Sequence, residues 1–75
     1  MRKQARPLAV FGRNVRKVRA GSGLTQQRVG MIAHLDPTYI SGIERGVRNP
    51  TLRIISRLAK ALKVPVEKLC AGVRE

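Results

Sequence analysis

Residues 25–46 of this 75-residue chain read TQQRVGMIAHLDPTYISGIERG and contain two helix start signals close together. Thr25 is a good N-cap, because its hydroxyl can accept a hydrogen bond from a backbone N–H of the first turn. Asp36 is an N-cap of the same kind, and the Pro37 after it suits the first position of a helix. Gly46 suits the end of the second segment, since glycine readily adopts the left-handed conformation found there. The stretch therefore predicts two short helices joined by a tight turn.

Each of these two helices has one apolar face. In the first, the apolar face is made by Val29, Ile32 and Ala33. Gly30 costs that helix about 1 kcal/mol in propensity, which indicates that another helix crosses closely there. The inward side of the second helix is Leu35, Tyr39, Ile40 and Ile43, and its outward side is Pro37, Thr38, Ser41, Gly42 and Arg45. Every outward residue except Arg45 is small, which favours a surface that lies close against a flat partner.

The flanking sequence predicts three more helices. Residues 1–7 are basic and lack an apolar period, so we expect a flexible N-terminal arm. A helix begins at Leu8 and ends at residues 21–23, with apolar residues at Leu8, Phe11, Val15 and Val18. Thr51 caps another helix, whose apolar residues are Leu52, Ile55, Leu58, Ala59 and Leu62, and Pro65 begins a short last one. The fold class is therefore all-α, a compact bundle of five short helices in one domain of residues 8–75.

The charge balance indicates a polyanionic partner. The chain has 16 Lys and Arg residues against 4 Asp and Glu, a formal net charge of +12. Such a charge repels itself in the compact state, and it is typical of proteins that bind nucleic acid or a membrane surface. The apolar run that begins at Leu8 ends at Gly12, short of the roughly 7–15 residues of a signal peptide core and the roughly 20 of a membrane span. Nucleic acid is therefore the favoured partner.

The composition argues against several other functions. One cysteine cannot form an intrachain disulfide, and one histidine does not make a metal-ligand cluster, so we expect no metal, no cofactor and a cytoplasmic location. Four acids, one His and one Cys at scattered positions do not form a nucleophile–base arrangement, so we do not expect an enzyme. With Phe11 and Tyr39 as its two aromatic residues, the chain is also poor in surfaces for stacking single-stranded bases.

The run TYISGIERGVRNPTL at residues 38–52 resembles the Cro/cI-type (XRE-like) helix-turn-helix family of phage repressors and small bacterial transcriptional regulators. The resemblance extends from about Phe11 to Leu69. It implies a lambda-repressor-like domain with the helix-turn-helix at residues 25–46. The compactness of the chain leads us to expect no separate effector domain, as in restriction-modification controller proteins and small phage-type repressors. The chain departs from the family at His34, where glycine is usual, and at Pro37 and Gly42, where relatives that read bases often carry Gln, Arg or Lys.

The resemblance also implies a role for individual residues. The base-facing residues are Pro37, Thr38, Ser41 and Gly42, of which Thr38 and Ser41 can hydrogen-bond to base edges. The residues expected at phosphates are Thr25, Gln26, Tyr39, Arg45, Arg48 and Asn49. Arg19 and Glu44 are expected to form a partly buried structural ion pair. Three alternatives stay open: ordinary helix-surface polarity for Thr38 and Ser41, capping alone for Thr25, and plain loop positions for Arg48 and Asn49.

These observations predict a transcriptional regulator that binds double-stranded DNA as a homodimer, with no small-molecule ligand. One recognition helix reads only a few base pairs, so specificity requires a palindromic or pseudo-palindromic operator with two half-sites about one helical turn apart. The expected dimer surface is Leu62, Val64, Val66, Leu69 and Val73. An antitoxin that inhibits a toxin and autoregulates its own promoter is the alternative.

Overall fold

The computed structural model describes residues 6–75, which form five helices and, within that range, no strand. The helices are α1 (Arg6–Gly21), α2 (Gln26–Ala33), α3 (Pro37–Glu44), α4 (Leu52–Leu62) and α5 (Val66–Leu69). This is the predicted all-α architecture. Helix α1 begins two residues before the expected start, because Pro7 is compatible with the first turn of a helix, where its missing N–H has no partner to lose. The rest of the expected basic arm, residues 1–5, lies outside the described residues.

The predicted caps are present at three helix starts. The hydroxyl oxygen of Thr25 accepts from the backbone N–H of Arg28 at 3.0 Å, at the start of α2. Oδ1 of Asp36 accepts from the N–H of Thr38 at 2.7 Å, at the start of α3. Thr51 does the same for α4 at 3.2 Å. Each bond satisfies a backbone donor that has no partner inside its own helix, so these boundaries follow from local sequence.

Helix α3 packs between α1 and α2, and α4 and α5 complete the core that these three helices enclose. Helix α3 contacts α1 and α2, α4 contacts α2 and α5, and α5 returns to α1. The largest fully buried side chains are Ile40, Ile43, Leu58, Leu69, Val15 and Val29. Burying a side chain of this size contributes roughly 1.5–3 kcal/mol. The two buried isoleucines both belong to α3, so the core fixes this helix from its inner face and leaves its outer face free.

Two residues expected in the core are exposed. Ile32 of α2 is 46% exposed, and Leu52 at the start of α4 is 70% exposed. Val29 and Ala33 are the residues of α2 that reach the core, so the apolar stripe of α2 is narrower than predicted. Leu52 lies in the first turn of α4, before the helix reaches the bundle.

The short helix α5 buries more of the bundle end than the sequence suggested. Leu62 and Leu69 were expected at a dimer surface, but they are 4% and 0% exposed within a single chain. The reason is that α5 folds back against both α1 and α4 and closes the core there. Val64, Val66 and Val73 are partly buried and pack against this core from outside. The prediction of a dimer surface is therefore wrong for Leu62 and Leu69.

Two glycines allow helices to cross closely. A Cβ at Gly30 would lie 2.5 Å from the carbonyl oxygen of Leu35 and 3.5 Å from the side chains of Pro37 and Ile40. The close crossing predicted at Gly30 is thus present, and α3 supplies it. A second crossing, which the sequence did not predict, lies at Gly12 of α1, where a Cβ would meet backbone oxygens of α3.

Candidate nucleic-acid interface

The outer face of α3 is narrow and carries short side chains. Thr38 is exposed, whereas Pro37 and Ser41 are half-buried. Eight residues at 1.5 Å each give α3 a length of about 12 Å, comparable with the width of the DNA major groove, also about 12 Å. Thr38 lies in the first turn of α3, the part of a recognition helix that reaches base edges. Its hydroxyl, with that of Ser41, is the hydrogen-bonding chemistry that this face offers.

Two arginines cover the second half of this face. A Cβ at Gly42 would lie 2.6 Å from Cγ and 3.3 Å from Nε of Arg48, so the stem of Arg48 lies against the glycine. Gly42 is therefore buried under Arg48, and its contact with a base stays a prediction. The Nε of Arg45 donates to the hydroxyl of Ser41 at 3.4 Å. Both arginines are exposed, so positive charge lies directly beside the short side chains of α3.

Glu44 is the centre of a hydrogen-bonded cluster that joins three parts of the chain. Its Oε2 accepts from Nε of Arg19 at 2.5 Å, and its Oε1 accepts from Nη2 of Arg19 at 3.0 Å. The Oε1 atom also accepts from Nε2 of Gln26 at 3.0 Å. The Arg19 and Glu44 side chains are 14% and 3% exposed. The expected ion pair is present as a two-point contact of the kind that gives Arg–carboxylate pairs their directionality.

This cluster pairs the carboxylate of Glu44 with Arg19, whereas the exposed Asp36 at the start of α3 accepts the capping bond from Thr38. The remaining Arg19 contact runs from Nη1 to the carbonyl of Leu24 at 2.7 Å, which ties the segment before α2 to α1. The hydrogen bond with Glu44 raises the pKa of Arg19 above its ordinary value; burial opposes this shift, and the charge attraction of Glu44 adds to it. Arg19 therefore stays charged at every pH at which the protein works. Gln26, expected at a phosphate, has part of its amide committed to Glu44 in this structure.

The other residues expected at phosphates lie at the edges of the α3 face. Thr25 is exposed at the start of α2, where its oxygen accepts the capping bond and the end of the helix dipole is positive. Tyr39 is half-buried against the core, and Asn49 is exposed in the loop before α4. None of these positions decides between a phosphate contact and the structural alternatives for Thr25, Arg48 and Asn49.

Sequence reasoning missed Arg57. This residue of α4 is half-buried, and its guanidinium donates to the carbonyls of Ala33 and His34, in the turn between α2 and α3. His34 adopts a left-handed conformation, with φ 59° and ψ 46°, as expected for a turn position where glycine is usual. The local sequence of α4 gave no signal that Arg57 reaches this turn, because the contact with His34 spans 23 residues.

Neither a metal site nor a membrane segment is found in the described range. Residues 6–75 contain no group of His, Cys, Asp or Glu side chains that could hold a metal ion. Within the same range, no helix combines the length and the apolar character that crossing a bilayer requires.

Comparison with known proteins agrees with this geometry. The helix-turn-helix family model matches residues 15–69. The control protein C.BamHI of Bacillus amyloliquefaciens is 41% identical over 61 residues, which cover 80% of this chain and 75% of that protein. The crystal structure of the restriction-modification controller protein C.AhdI from Aeromonas hydrophila superposes with a TM-score of 0.81 at 39% identity, covering 83% of this chain and 94% of that one.

A third similar structure contains DNA. It is the tetramer of the restriction-modification controller protein C.Esp1396I in complex with its natural 35 base-pair operator, with a TM-score of 0.75 at 31% identity, covering 84% of this chain and 93% of that one. The chain belongs to the helix-turn-helix family of transcriptional regulators, which are DNA-binding proteins and not enzymes.

Proposed function

We propose that this protein is a restriction-modification controller that regulates transcription by binding a palindromic or pseudo-palindromic operator as a homodimer. The observation that carries the proposal is the α3 face, where Thr38 and Ser41 lie beside Arg45 and Arg48 while the carboxylate of Glu44 is paired with Arg19. Similarity to control proteins of restriction-modification systems supports the particular role. A protein of this kind works in the cytoplasm, on bacterial or phage DNA.

In this proposal α3 enters the major groove. Thr38 makes base-edge hydrogen bonds and can place its methyl group against a thymine methyl, and Ser41 adds a second polar contact. Pro37 contributes apolar contact. Because these side chains are short and few, part of the specificity comes from the shape and deformability of the operator.

Phosphate contacts supply most of the affinity. Arg45 and Arg48 flank α3 and contact phosphates on one side of the groove, with Asn49 beside them. At the other side, the backbone N–H groups at the start of α2 attract a phosphate near Thr25. Gln26 remains bonded to Glu44, which fixes its amide so that a second N–H of the same group can reach that phosphate.

The dimer brings two α3 helices to successive turns of the groove. We place the dimer surface at the exposed parts of Val64, Val66 and Val73, since Leu62 and Leu69 are used by the core of each chain. A twofold dimer pairs the same surface with itself, which matches the symmetry of a palindromic operator.

Selection of bound duplexes from a random pool tests the proposal. We expect enrichment of one site with two related half-sites, spaced about 10 base pairs from centre to centre. Thr38→Ala should relax the preference at the positions it contacts, while Thr51→Ala, which removes a hydroxyl at the start of α4, should leave the selected sequence unchanged. Recovery of random duplex without an enriched motif would show that the protein coats DNA regardless of sequence, and would overturn the proposal.

A further inference from the structure

The turn between α2 and α3 depends on a residue in a conformation that it does not favour. His34 has φ 59° and ψ 46°, a region where a side chain normally costs energy. The backbone N–H groups of His34 and Leu35 both donate to the carbonyl oxygen of Gly30, that of Leu35 at 2.9 Å. These two hydrogen bonds end α2. Both have the carbonyl oxygen of Gly30 as their acceptor, so they do not satisfy the other carbonyl groups in the last turn of α2.

Arg57 satisfies two further carbonyls at this point. Its Nε and Nη2 donate to the oxygen of Ala33 at 3.2 and 3.0 Å, and its Nη2 donates to the oxygen of His34 at 2.7 Å. The carbonyls at the end of a helix lack intrahelical partners and carry the negative end of its dipole. A planar guanidinium with fixed N–H directions is suited to hold two of them at once.

The position of this turn sets the position of α3. Leu35 follows His34 directly, and its carbonyl oxygen lies 2.5 Å from the position that a Cβ of Gly30 would occupy. Asp36 and Pro37 come next and begin α3. The start of α3 is therefore held at Gly30 from one side and, through the carbonyl of His34, by Arg57 from the other.

We infer that Arg57 is a positioning residue for DNA recognition, which holds the α2–α3 turn so that Thr38 meets the base edges. The inference rests on the proposed function, because it concerns the same recognition helix. In this inference Arg57 acts through backbone carbonyls and not by touching DNA, since its Nε and Nη2 donate to Ala33 and His34. Its removal therefore affects the selected site more than it affects random duplex.

The test compares Arg57→Ala with Arg53→Ala. Both residues belong to α4, and both variants lose one positive charge, but Arg53 is exposed and the structure gives it no bond to the turn. Affinity for the selected site and for random duplex is measured at several salt concentrations, at a temperature where circular dichroism shows every variant folded. We expect Arg57→Ala to weaken binding to the selected site about tenfold relative to Arg53→Ala, as the loss of hydrogen bonds to a charged group implies.

Random duplex and salt provide the second readout. Affinity for random duplex, and the slope of log affinity against log salt, should be the same in the two variants, because neither arginine contacts phosphate in this proposal. If Arg57→Ala does not fold, Arg57→Lys keeps the charge but not the planar fork, and it is compared with Arg53→Lys in the same way.

A rescue experiment separates positioning from a general loss of stability. His34→Gly favours the left-handed conformation of the turn, so adding it to Arg57→Ala should restore most of the affinity for the selected site. Lys63→Gly is the control, since Lys63 has nearly the same conformation, φ 59° and ψ 43°, but at the end of α4. It should raise thermal stability without restoring binding.

Several results would overturn the inference. Equal affinity of Arg57→Ala and Arg53→Ala for the selected site would do so, as would a loss that His34→Gly does not rescue. A salt slope lower by about one for Arg57→Ala would make Arg57 a phosphate contact instead. Failure of the unaltered protein to prefer any site is a different outcome, because it removes the proposed function itself.

Discussion

At the scale of single residues, Glu44 joins α1, α2 and α3, because its buried carboxylate accepts from both Arg19 and Gln26. The raised pKa of Arg19 lies above the ordinary guanidinium value, so its contribution to stability is complete below that value and is lost only as the pH rises beyond it. The ion pair therefore does not act as a switch in the physiological pH range. It is a permanent tie between α1 and α3.

Glu44→Ala should lower the free energy of unfolding by about 3–5 kcal/mol, because it leaves the mostly buried Arg19 without its partner. Urea unfolding followed by circular dichroism measures the change. Glu67→Ala is the control, since Glu67 is exposed on α5 and its removal should cost about 0.5 kcal/mol or less. A loss as small for Glu44→Ala as for this control would contradict the structural role.

Gly42→Ala should weaken operator binding without unfolding the protein. The new Cβ would lie 2.6 Å from Cγ of Arg48, so the arginine must leave its place on α3, whereas alanine is a better helix residue than glycine. We expect affinity for the selected site to fall about fivefold, corresponding to about 1 kcal/mol of a charged contact. Fluorescence anisotropy with labelled duplex measures it. If Arg48→Ala has the same effect and the double variant is no worse, the two residues act together; additive losses would contradict this.

At the scale of helices, the close approach of α1 to α3 fixes the position of α3, in addition to the hydrogen bonds of Glu44. Gly12 and Gly30 are the residues that let α3 lie against the backbone of its two neighbours. Helix α3 is only eight residues long, so packing of this kind, and not its own propensity, keeps it folded.

Gly12→Ala should destabilise the bundle, because its Cβ would press on the carbonyl oxygens of Ile43 and Glu44, which are backbone atoms and cannot rotate away. We expect a loss of about 1–3 kcal/mol, the usual range for overpacking, measured by urea unfolding. Gly21→Ala belongs to the same helix, and its Cβ would meet nothing within 4 Å. This control should be neutral or slightly stabilising, and a similar loss in both variants would show that the α1–α3 crossing is looser than described.

On the scale of the whole molecule, a net charge of +12 favours any polyanion, so affinity alone does not demonstrate specificity. Salt dependence separates the two kinds of binding. Non-specific binding is almost entirely electrostatic, and it falls steeply with salt as counterions are released from DNA.

Binding to the selected operator should persist at about 0.15 M salt, while binding to random duplex of the same length is largely lost. Filter binding or anisotropy over a salt series gives both curves. A parallel loss on both duplexes would contradict sequence-specific recognition and leave a protein that binds DNA by charge alone.

Val66→Asp should convert the proposed dimer to a monomer, because a charge buried at the centre of an apolar contact lacks a partner. Sedimentation velocity measures the mass. Val47→Asp is the control, since Val47 is 60% exposed in the loop after α3 and is not among the residues placed at the dimer surface. If the two variants self-associate equally, the dimer surface does not include Val66 of α5.

The sequence was informative wherever a feature depends on neighbouring residues. Caps at Thr25, Asp36 and Thr51 satisfy donors two or three residues away, so their residue types alone predict where helices begin. The family resemblance added the pairing of Arg19 with Glu44. Local caps and family resemblance together are sufficient to locate the helix-turn-helix at residues 25–46.

Tertiary structure decided what depends on contacts between distant segments. Periodicity shows which side of a helix is apolar, but not how much of that side its neighbours cover; hence Leu69 is buried while Leu52 is exposed. The contact of Arg57 with the α2–α3 turn, and that of Arg48 with Gly42, follow from the packing of the backbone. The sequence, through its family resemblance, thus predicted α3 as the recognition helix, whereas the fold alone decided what holds that helix in place.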